Sequence, residues 1–152
     1  MFTPHPDRPR ALLIGEGAGI GPMIALSDQL RARKDADWKP LVLLGSEGPF
    51  PFRPRPSLIV VAGIPDGCIA CMPLLDEWGV ASRLASSEGL PGCFEGSVAE
   101  LAEAWLQALS PTVLAQVEMF ACGPTPMLEV TFQLAQRLGI PMQVTYVQIP
   151  YV

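Results

Sequence analysis

The chain has 152 residues, 49% of them hydrophobic, and carries a formal net charge of −5. This size and hydrophobic content predict one domain with a buried core, and the absence of a basic stripe with interleaved aromatic residues excludes nucleic acid as a partner. No apolar stretch is long enough to span a bilayer, and the first ten residues lack the apolar core of a signal peptide, which excludes a membrane partner.

The first third of the sequence predicts two buried strands with a helix between them. After a proline-rich arm (residues 1–9), the apolar run Arg10–Ile14 ends at glycine, a pattern typical of a strand buried on both faces. Pro22 suits the first turn of a helix, where its missing N–H costs nothing. Leu41–Leu44 predicts the second strand, and the four prolines of Pro49–Pro56 predict an extended loop after it.

The middle of the sequence predicts two further strands around a helix. Leu58–Ala62 is a short apolar run that predicts a strand at an edge of the sheet. Asp66 to Trp78 predicts a helix that Pro73 interrupts. Val80–Ala85 predicts the next strand, and the glycines of Ser86–Gly96 predict a loop.

The last third begins with a clear helix start. Ser97 and Glu100 have the spacing of a capping box, in which each side chain bonds the backbone N–H of the other residue. The elements that follow are a helix from this capping box to Ser110-Pro111, the strand Val117–Ala121, a helix from Thr125-Pro126 to Gly139, and the strand Met142–Gln148.

The alternation of strands and helices predicts the fold class. Successive strand–helix–strand units favour right-handed crossovers and parallel pairing. We therefore predict an α/β fold: a three-layer αβα sandwich around a doubly wound, mostly parallel sheet of about five to six strands. Residues 1–152 are predicted to form this one domain, with no linker to a second one.

Two glycine-marked turns are the best candidates for a binding site. Gly15–Pro22 follows the first strand, and Cys122-Gly123-Pro124 follows the strand Val117–Ala121. Small residues at a strand-to-helix turn let the backbone approach a phosphate, and the helix start points N–H groups at it. The first turn is not a complete dinucleotide fingerprint, so a tight turn without a ligand stays an alternative. The carboxylate of Glu16 would oppose a phosphate unless it points away.

These motifs resemble the nucleotide-binding half of ferredoxin–NADP reductase-like flavoproteins. In that family, glycines followed by proline replace the last glycine of the usual fingerprint, and a Cys-Gly-Pro-x-x-Met element follows the fourth strand. The sequence has Cys122-Gly123-Pro124 with Met127 at the corresponding place. The glycine-rich loop Ser87–Val98 is similar to one in the electron-transfer subunit of dihydroorotate dehydrogenase, which is the nearest subfamily. The resemblance implies a Rossmann-like fold that binds NAD or NADP.

The resemblance also implies roles for individual residues. The glycine turn would hold the pyrophosphate with Gly15, Gly17, Gly19, Ile20, Gly21 and Pro22. The second turn would lie beside the nicotinamide with Cys122, Gly123, Pro124 and Met127, and the end of the second strand would meet the adenosine ribose with Ser46 and Glu47. A basic residue that the family often has near that ribose is missing, which favours NAD over NADP.

Two further features of the family have no counterpart in the sequence. Its members carry a flavin-binding barrel, and the dihydroorotate dehydrogenase subunit has a cysteine cluster for an iron–sulfur centre. We expect that this chain alone binds neither a flavin nor an iron–sulfur cluster, and that electron transfer needs a flavoprotein partner. The alternative is a non-catalytic nucleotide-binding or interaction module. An apolar face without its usual barrel would favour a homo-oligomer such as a dimer.

The remaining candidate groups predict no catalysis. Cys68 and Cys71 have the spacing of a redox or zinc motif, but a zinc site needs more ligands, and two buried thiols in a core helix are the favoured interpretation. His5 is the only histidine, and in the proline-rich arm it is expected at the surface. Four cysteines without a secretory signal favour reduced thiols in the cytoplasm.

Overall fold

The computed structural model describes residues 2–145, which form a parallel sheet between two helical layers. The sheet has six strands: β1 (Arg10–Glu16), β2 (Leu41–Ser46), β5 (Ala81–Ser86), β6 (Phe94–Glu95), β7 (Val117–Cys122) and β8 (Met142–Thr145). Their order is β6-β5-β2-β1-β7-β8, and every neighbouring pair is parallel. A separate antiparallel pair consists of β3 (Arg55–Pro56) and β4 (Ala70–Cys71). The predicted fold class is confirmed.

Helices cover both faces of the sheet because the central strands are apolar on both sides. On one face, Leu13 and Leu44 pack against Met23 and other residues of α1. On the other face, Leu12 and Leu43 pack against α3 and α5. The helices are α1 (Ile20–Ala32), α2 (Pro73–Glu77), α3 (Val98–Gln107), α4 (Pro111–Leu114) and α5 (Thr125–Leu138). Each helix of residues 2–145 is too short or too polar to traverse a bilayer.

The helix ends follow local sequence signals, with shifts of one to three residues, except that Ser110-Pro111, predicted to end α3, begins the short helix α4. The capping box of α3 is confirmed: Ser97 Oγ accepts from the Glu100 N–H at 3.1 Å, and Glu100 Oε1 accepts from the Ser97 N–H at 2.9 Å. Helix α5 ends at Gly139 in a left-handed conformation, as predicted. Pro124, and not Thr125, is its N-cap. Of the last strand, predicted as Met142–Gln148, the structure shows Met142–Thr145 as β8, and residues 146–148 lie outside the described residues.

The prediction of a strand at Leu58–Ala62 is wrong. This segment is irregular, and the side chains of Leu58 and Val60 are 91% and 94% exposed. Its carbonyl groups bind side chains instead of a neighbouring strand. The Arg83 guanidinium donates to the Ile59 carbonyl, and the Trp105 indole donates to the Ala62 carbonyl.

The prediction of one helix from Asp66 to Trp78 is also wrong. Only Pro73–Glu77 is helical, with Pro73 at the start of α2, where a proline needs no N–H donor. Cys71 belongs to strand β4, and Cys68 precedes it in a turn, so neither thiol lies on a helix. Both residues are buried free thiols, and burial raises the pKa of each. Core packing is therefore confirmed for this pair, in a strand and turn.

The proline-rich arm packs on β7 and β8, beside α1. Phe2 makes an edge-to-face contact with Phe120, with the ring centroids 5.6 Å apart. His5 Nδ1 lies 2.9 Å from a carboxylate oxygen of the buried Glu118. The His5 side chain itself is 58% exposed, in agreement with the expected surface position. The arm therefore provides hydrogen-bond partners for the buried Glu118 carboxyl group and completes the layer beside α1.

Candidate functional site

The two glycine-marked turns meet at the carboxyl ends of the central strands. Strands β1 and β7 are neighbours, with Gly15 opposite Cys122. A 3-10 turn, Gly17–Gly19, follows β1 and carries the chain into α1. A Cβ atom added to Gly19 would lie 1.9 Å from the Cys122 carbonyl oxygen and 2.9 Å from the Gly123 nitrogen. Glycine is therefore required at position 19 for the two turns to touch.

This meeting point coincides with a reversal in the strand order. Strands β2 and β5 follow β1 on one side of the sheet, whereas β7 and β8 lie on its other side. The connections leaving β1 and β7 diverge there and leave a crevice above the carboxyl ends of the strands. Open α/β sheets bind their ligands in such a crevice.

The first turn of α1 is accessible, but few of its backbone N–H groups are free to donate to a ligand. The Ile20 N–H donates to the Gly17 carbonyl, and Pro22 has no N–H. By position, Gly21 is left to present an N–H to a ligand. A Cβ atom added to Gly21 would meet nothing within 4 Å, so the space beside this residue is open.

The structure divides the twelve predicted site residues into a surface group and a supporting group. The surface group consists of Gly17, Gly21, Pro22, Ser46, Glu47, Gly123 and Pro124, which are exposed or half-buried. The supporting group consists of Gly15, Gly19, Ile20, Cys122 and Met127, which are buried.

Cys122 and Met127 support the second turn from below. The Cys122 side chain packs in the cluster that contains Ile20 and Met23, and burial raises the pKa of its thiol. The thiol is therefore neutral and is placed for packing rather than for contact with a ligand. A Cβ atom at Gly123 would lie 2.5 Å from the Met127 methyl group, so Met127 fills the space beneath this glycine.

A cavity of about 320 Å³ lies beside the turns, at the carboxyl ends of β2 and β5. Two of the predicted site residues, Ser46 and Glu47, line it, and Glu16 lines it as well. The wall of the cavity formed by the loop after β5 and the start of α3 was not predicted, although the glycines of that loop were a signal for it. The missed residues include Ser87, Gly96, Ser97, Val98 and Glu100.

The Glu16 carboxyl group points towards this cavity. A Cβ atom at Gly45, near the end of β2, would lie 3.4 Å from Glu16 Oε1. The carboxylate is therefore directed to the β2 side of the crevice, away from the start of α1. Burial, followed by the nearby Glu47, raises the pKa of Glu16. With Glu100, these groups give the cavity a negative lining, and no Lys or Arg of residues 2–145 lines it.

The fold is similar to ferredoxin reductase-like structures. The ferredoxin reductase of carbazole 1,9a-dioxygenase superposes with a TM-score of 0.61 at 19% identity over 92% of this chain. A ferredoxin NADP+ reductase from Neisseria gonorrhoeae with bound FAD and NADP gives a TM-score of 0.60 at 18% identity over 93% of the chain. The C-terminal domain of a Pyrococcus furiosus hydrogenase gives 0.57 at 13% identity over 93%.

These similarities concern the fold and differ in how much of each structure they cover. The chain spans 38% and 57% of the two reductases and 94% of the hydrogenase domain. No protein-family profile matches the sequence. No curated protein sequence matches it either.

Proposed function

We propose that this chain, with its ferredoxin reductase-like fold, binds a nicotinamide dinucleotide and acts as an NAD(P)-linked electron-transfer domain. The observation that carries the proposal is the contact of Gly19 with the Cys122 carbonyl, at the point where the strand order reverses. This contact brings together the exposed backbone of Gly17, Gly21 and Gly123 in a cradle without side chains. The pyrophosphate of a dinucleotide needs that close approach to the backbone.

Each end of the crevice suits one part of the dinucleotide. Gly21 and the start of α1 would bind the pyrophosphate, because the helix dipole favours an anion there. Gly123 and Pro124 would lie against the nicotinamide ring. Ser46 and Glu47, at the end of β2, would bind the hydroxyl groups of the adenosine ribose.

The acidic cavity favours NAD(H) over NADP(H). Glu16, Glu47 and Glu100 line the region that the adenosine ribose would occupy. A 2′-phosphate there would meet carboxylates without a cationic partner among the lining residues, whereas a free 2′-hydroxyl can donate to a carboxylate.

The direct experiment is a calorimetric titration with NADH and NADPH. Tryptophan emission is a poor probe of this site, because none of the tryptophans lines the cavity. We expect saturable NADH binding and an affinity for NADPH lower by about tenfold, or ~1.4 kcal/mol. No saturable heat with NADH up to about 1 mM would overturn the proposal.

The hydride acceptor is proposed to be a flavin on another chain. A nicotinamide gives up two electrons and a proton as hydride, and a flavin accepts them. The similarly folded Neisseria reductase holds FAD together with NADP, but the described residues of this chain form one α/β unit. The loop Ser87–Val98 is the feature that suggests a relation of this chain to the electron-transfer subunit of dihydroorotate dehydrogenase, and this narrower proposal rests on that loop alone.

A second candidate function is a non-catalytic nucleotide-binding or interaction module. The acidic lining and the few donors at α1 favour the interaction module, because both weaken the binding of a phosphate-bearing ligand. In anaerobic mixtures with free FAD, acceleration of flavin reduction by NADH in the presence of the chain would exclude the non-catalytic module.

Dinucleotide binding is expected to strengthen as the pH falls. The pKa of Glu16 is raised by burial and by Glu47, so this carboxyl group is anionic above its raised pKa and neutral below it. Loss of the charge removes a repulsion from the bound phosphates. Titrations with NAD+, which tolerates mild acid, should show this trend, and Glu16→Gln should bind more tightly with a flatter profile. An equal slope in the variant would assign the pH dependence to another group.

We also propose that the chain self-associates. Phe132 and Val144 are about half exposed and line a groove between α5 and β8 together with the buried Leu128. Burial of such apolar surface favours association. Light scattering should report a mass above that of the monomer, and Phe132→Glu should lower it. A monomeric mass for the unmodified chain would contradict this prediction.

A further inference from the structure

A second cavity lies at the opposite, amino-terminal end of the sheet. Its volume is about 540 Å³, and it is lined by the first residues of three strands, Arg10, Leu41 and Ala81. Small-molecule sites usually have volumes of roughly 300–1,000 Å³. This cavity and the crevice lie at opposite ends of strand β1. They are about 20 Å apart, because a strand rises ~3.3 Å per residue.

Two tryptophan rings give this cavity apolar walls. The Trp38 indole donates its N–H to Asp35 at 2.9 Å, and the Trp105 indole donates to the Ala62 carbonyl at 3.1 Å. Because both polar atoms are already bonded, the rings offer only their apolar surfaces to a ligand. Leu109 and Val113 extend the same wall.

The segment 58–62 forms the opposite wall and is held in place from beneath. Arg83 donates to the Ile59 carbonyl, and the Leu58 N–H donates to Asp76 at 2.9 Å. These bonds fix the segment while Val60, which lines the cavity, stays 94% exposed. An apolar side chain on a fixed and exposed wall is a surface that a ligand can cover at little entropic cost.

The cavity also carries positive charge. Arg10 and Lys39 line it, and none of its lining residues in the described part of the chain is Asp or Glu. Arg10 Nε donates to Gln116 at 3.0 Å. Lys39 Nζ forms an ion pair with Asp37 at 3.6 Å, beyond ordinary hydrogen-bond distance, so its N–H donors stay available to a ligand. The charged residues that line this cavity are therefore opposite in sign to those that line the cavity at the carboxyl ends.

We propose that this cavity binds a small amphipathic monocarboxylate, with an aromatic or medium-chain apolar body. The apolar body would lie between the tryptophan rings and Val60, and the carboxylate would meet Lys39 and Arg10. Apolar walls with a few convergent polar groups are the usual make-up of a small-molecule site. The inference does not depend on the proposed dinucleotide function, because the two cavities share no lining residue.

Decanoate is a suitable probe, and the three tryptophans provide an internal control. In 15N-labelled protein, decanoate should shift the indole N–H signals of Trp38 and Trp105 in a saturable manner. The signal of Trp78, which packs under Arg31 and does not line the cavity, should stay in place. Decanol, which has the same chain without the charge, should bind at least about tenfold more weakly.

A matched pair of variants tests the location. Val60→Asp places a carboxylate at the cavity and should weaken decanoate binding at least about tenfold. Leu58→Asp makes the same change on the same segment, at a residue that is 91% exposed and does not line the cavity, and should leave binding within about twofold. Lys39→Glu should weaken binding about as much as Val60→Asp.

Three results would overturn the proposal. The first is an equal effect of Val60→Asp and Leu58→Asp. The second is a shift of all three indole signals together, which would indicate a detergent-like effect of decanoate. The third is the absence of saturation up to about 1 mM.

Discussion

Gly21→Glu is expected to weaken NADH binding by about thirtyfold, or ~2 kcal/mol, without loss of folding. The new carboxylate would enter the open space beside the start of α1, where we place the pyrophosphate, and would repel it. An acidic residue in the first turn of a helix is favourable for the helix itself. Calorimetric titration with NADH measures the affinity, and circular dichroism confirms that the fold is unchanged.

Gly21→Gln is the matched control, because it has the same size without the charge. We expect its affinity for NADH to stay within about threefold of the unmodified chain, since a neutral amide does not repel phosphate. If Gly21→Glu bound NADH as well as Gly21→Gln does, the pyrophosphate would not lie at α1. If both variants lost binding equally, the side-chain volume and not the charge would be responsible.

Gly19→Ala is expected to destabilise the fold by about 3–5 kcal/mol. The added Cβ would lie 1.9 Å from the Cys122 carbonyl oxygen, and the atoms it meets are backbone atoms of β7 and the following turn. These atoms cannot move aside as a flexible side chain can, so β1 and β7 would have to separate. Urea denaturation, followed by circular dichroism, measures the free energy of unfolding.

Gly21→Ala is the control for this prediction. Its Cβ meets nothing within 4 Å, and alanine favours a helix, so the free energy of unfolding should rise by up to about 1 kcal/mol. Gly19→Ala is thus expected to lower the free energy of unfolding and Gly21→Ala to raise it, although the two positions are only two residues apart. A loss below about 1 kcal/mol for Gly19→Ala would show that the two turns do not pack as closely as described.

Together, the substitutions at Gly19 and Gly21 separate the fold from the binding of a ligand. Gly19 joins two strands whether or not a ligand is present, so its substitution tests the contact between the turns. Gly21 touches no neighbouring side chain, so its substitution tests the ligand alone. The proposed dinucleotide site requires both the loss of stability in Gly19→Ala and the loss of NADH affinity in Gly21→Glu.

The elements predicted correctly are those whose signals are local. Strands such as Leu41–Leu44 are continuous apolar runs bounded by glycine or proline, and the capping box of Ser97 and Glu100 lies within four residues. The short elements β3, β6 and α4 were not predicted, and the wrongly predicted strand and helix segment lie between residues 58 and 72. There an apolar run alone could not reveal that Arg83 and Trp105 bind its carbonyl groups.

The candidate site was predictable in part, for the same reason. The glycine turns are visible in the sequence because close backbone approach requires glycine. Which of these glycines support the fold and which face the crevice was not visible, since this depends on the neighbour across the sheet. The direction of Glu16 and the acidic wall completed by Glu100 depend on contacts between β2, the loop after β5 and α3.

The sequence by itself determined the α/β class, the parallel sheet and the two turns, because strand and helix periodicity and turn chemistry are properties of neighbouring residues. Only the tertiary structure decided that Gly19 rests on the Cys122 carbonyl, that the Cys122 thiol is buried, and that the two cavities at opposite ends of the sheet are lined by charged residues of opposite sign. Each of these depends on atoms that are far apart in the chain, and they meet only when the strands take their order in the sheet.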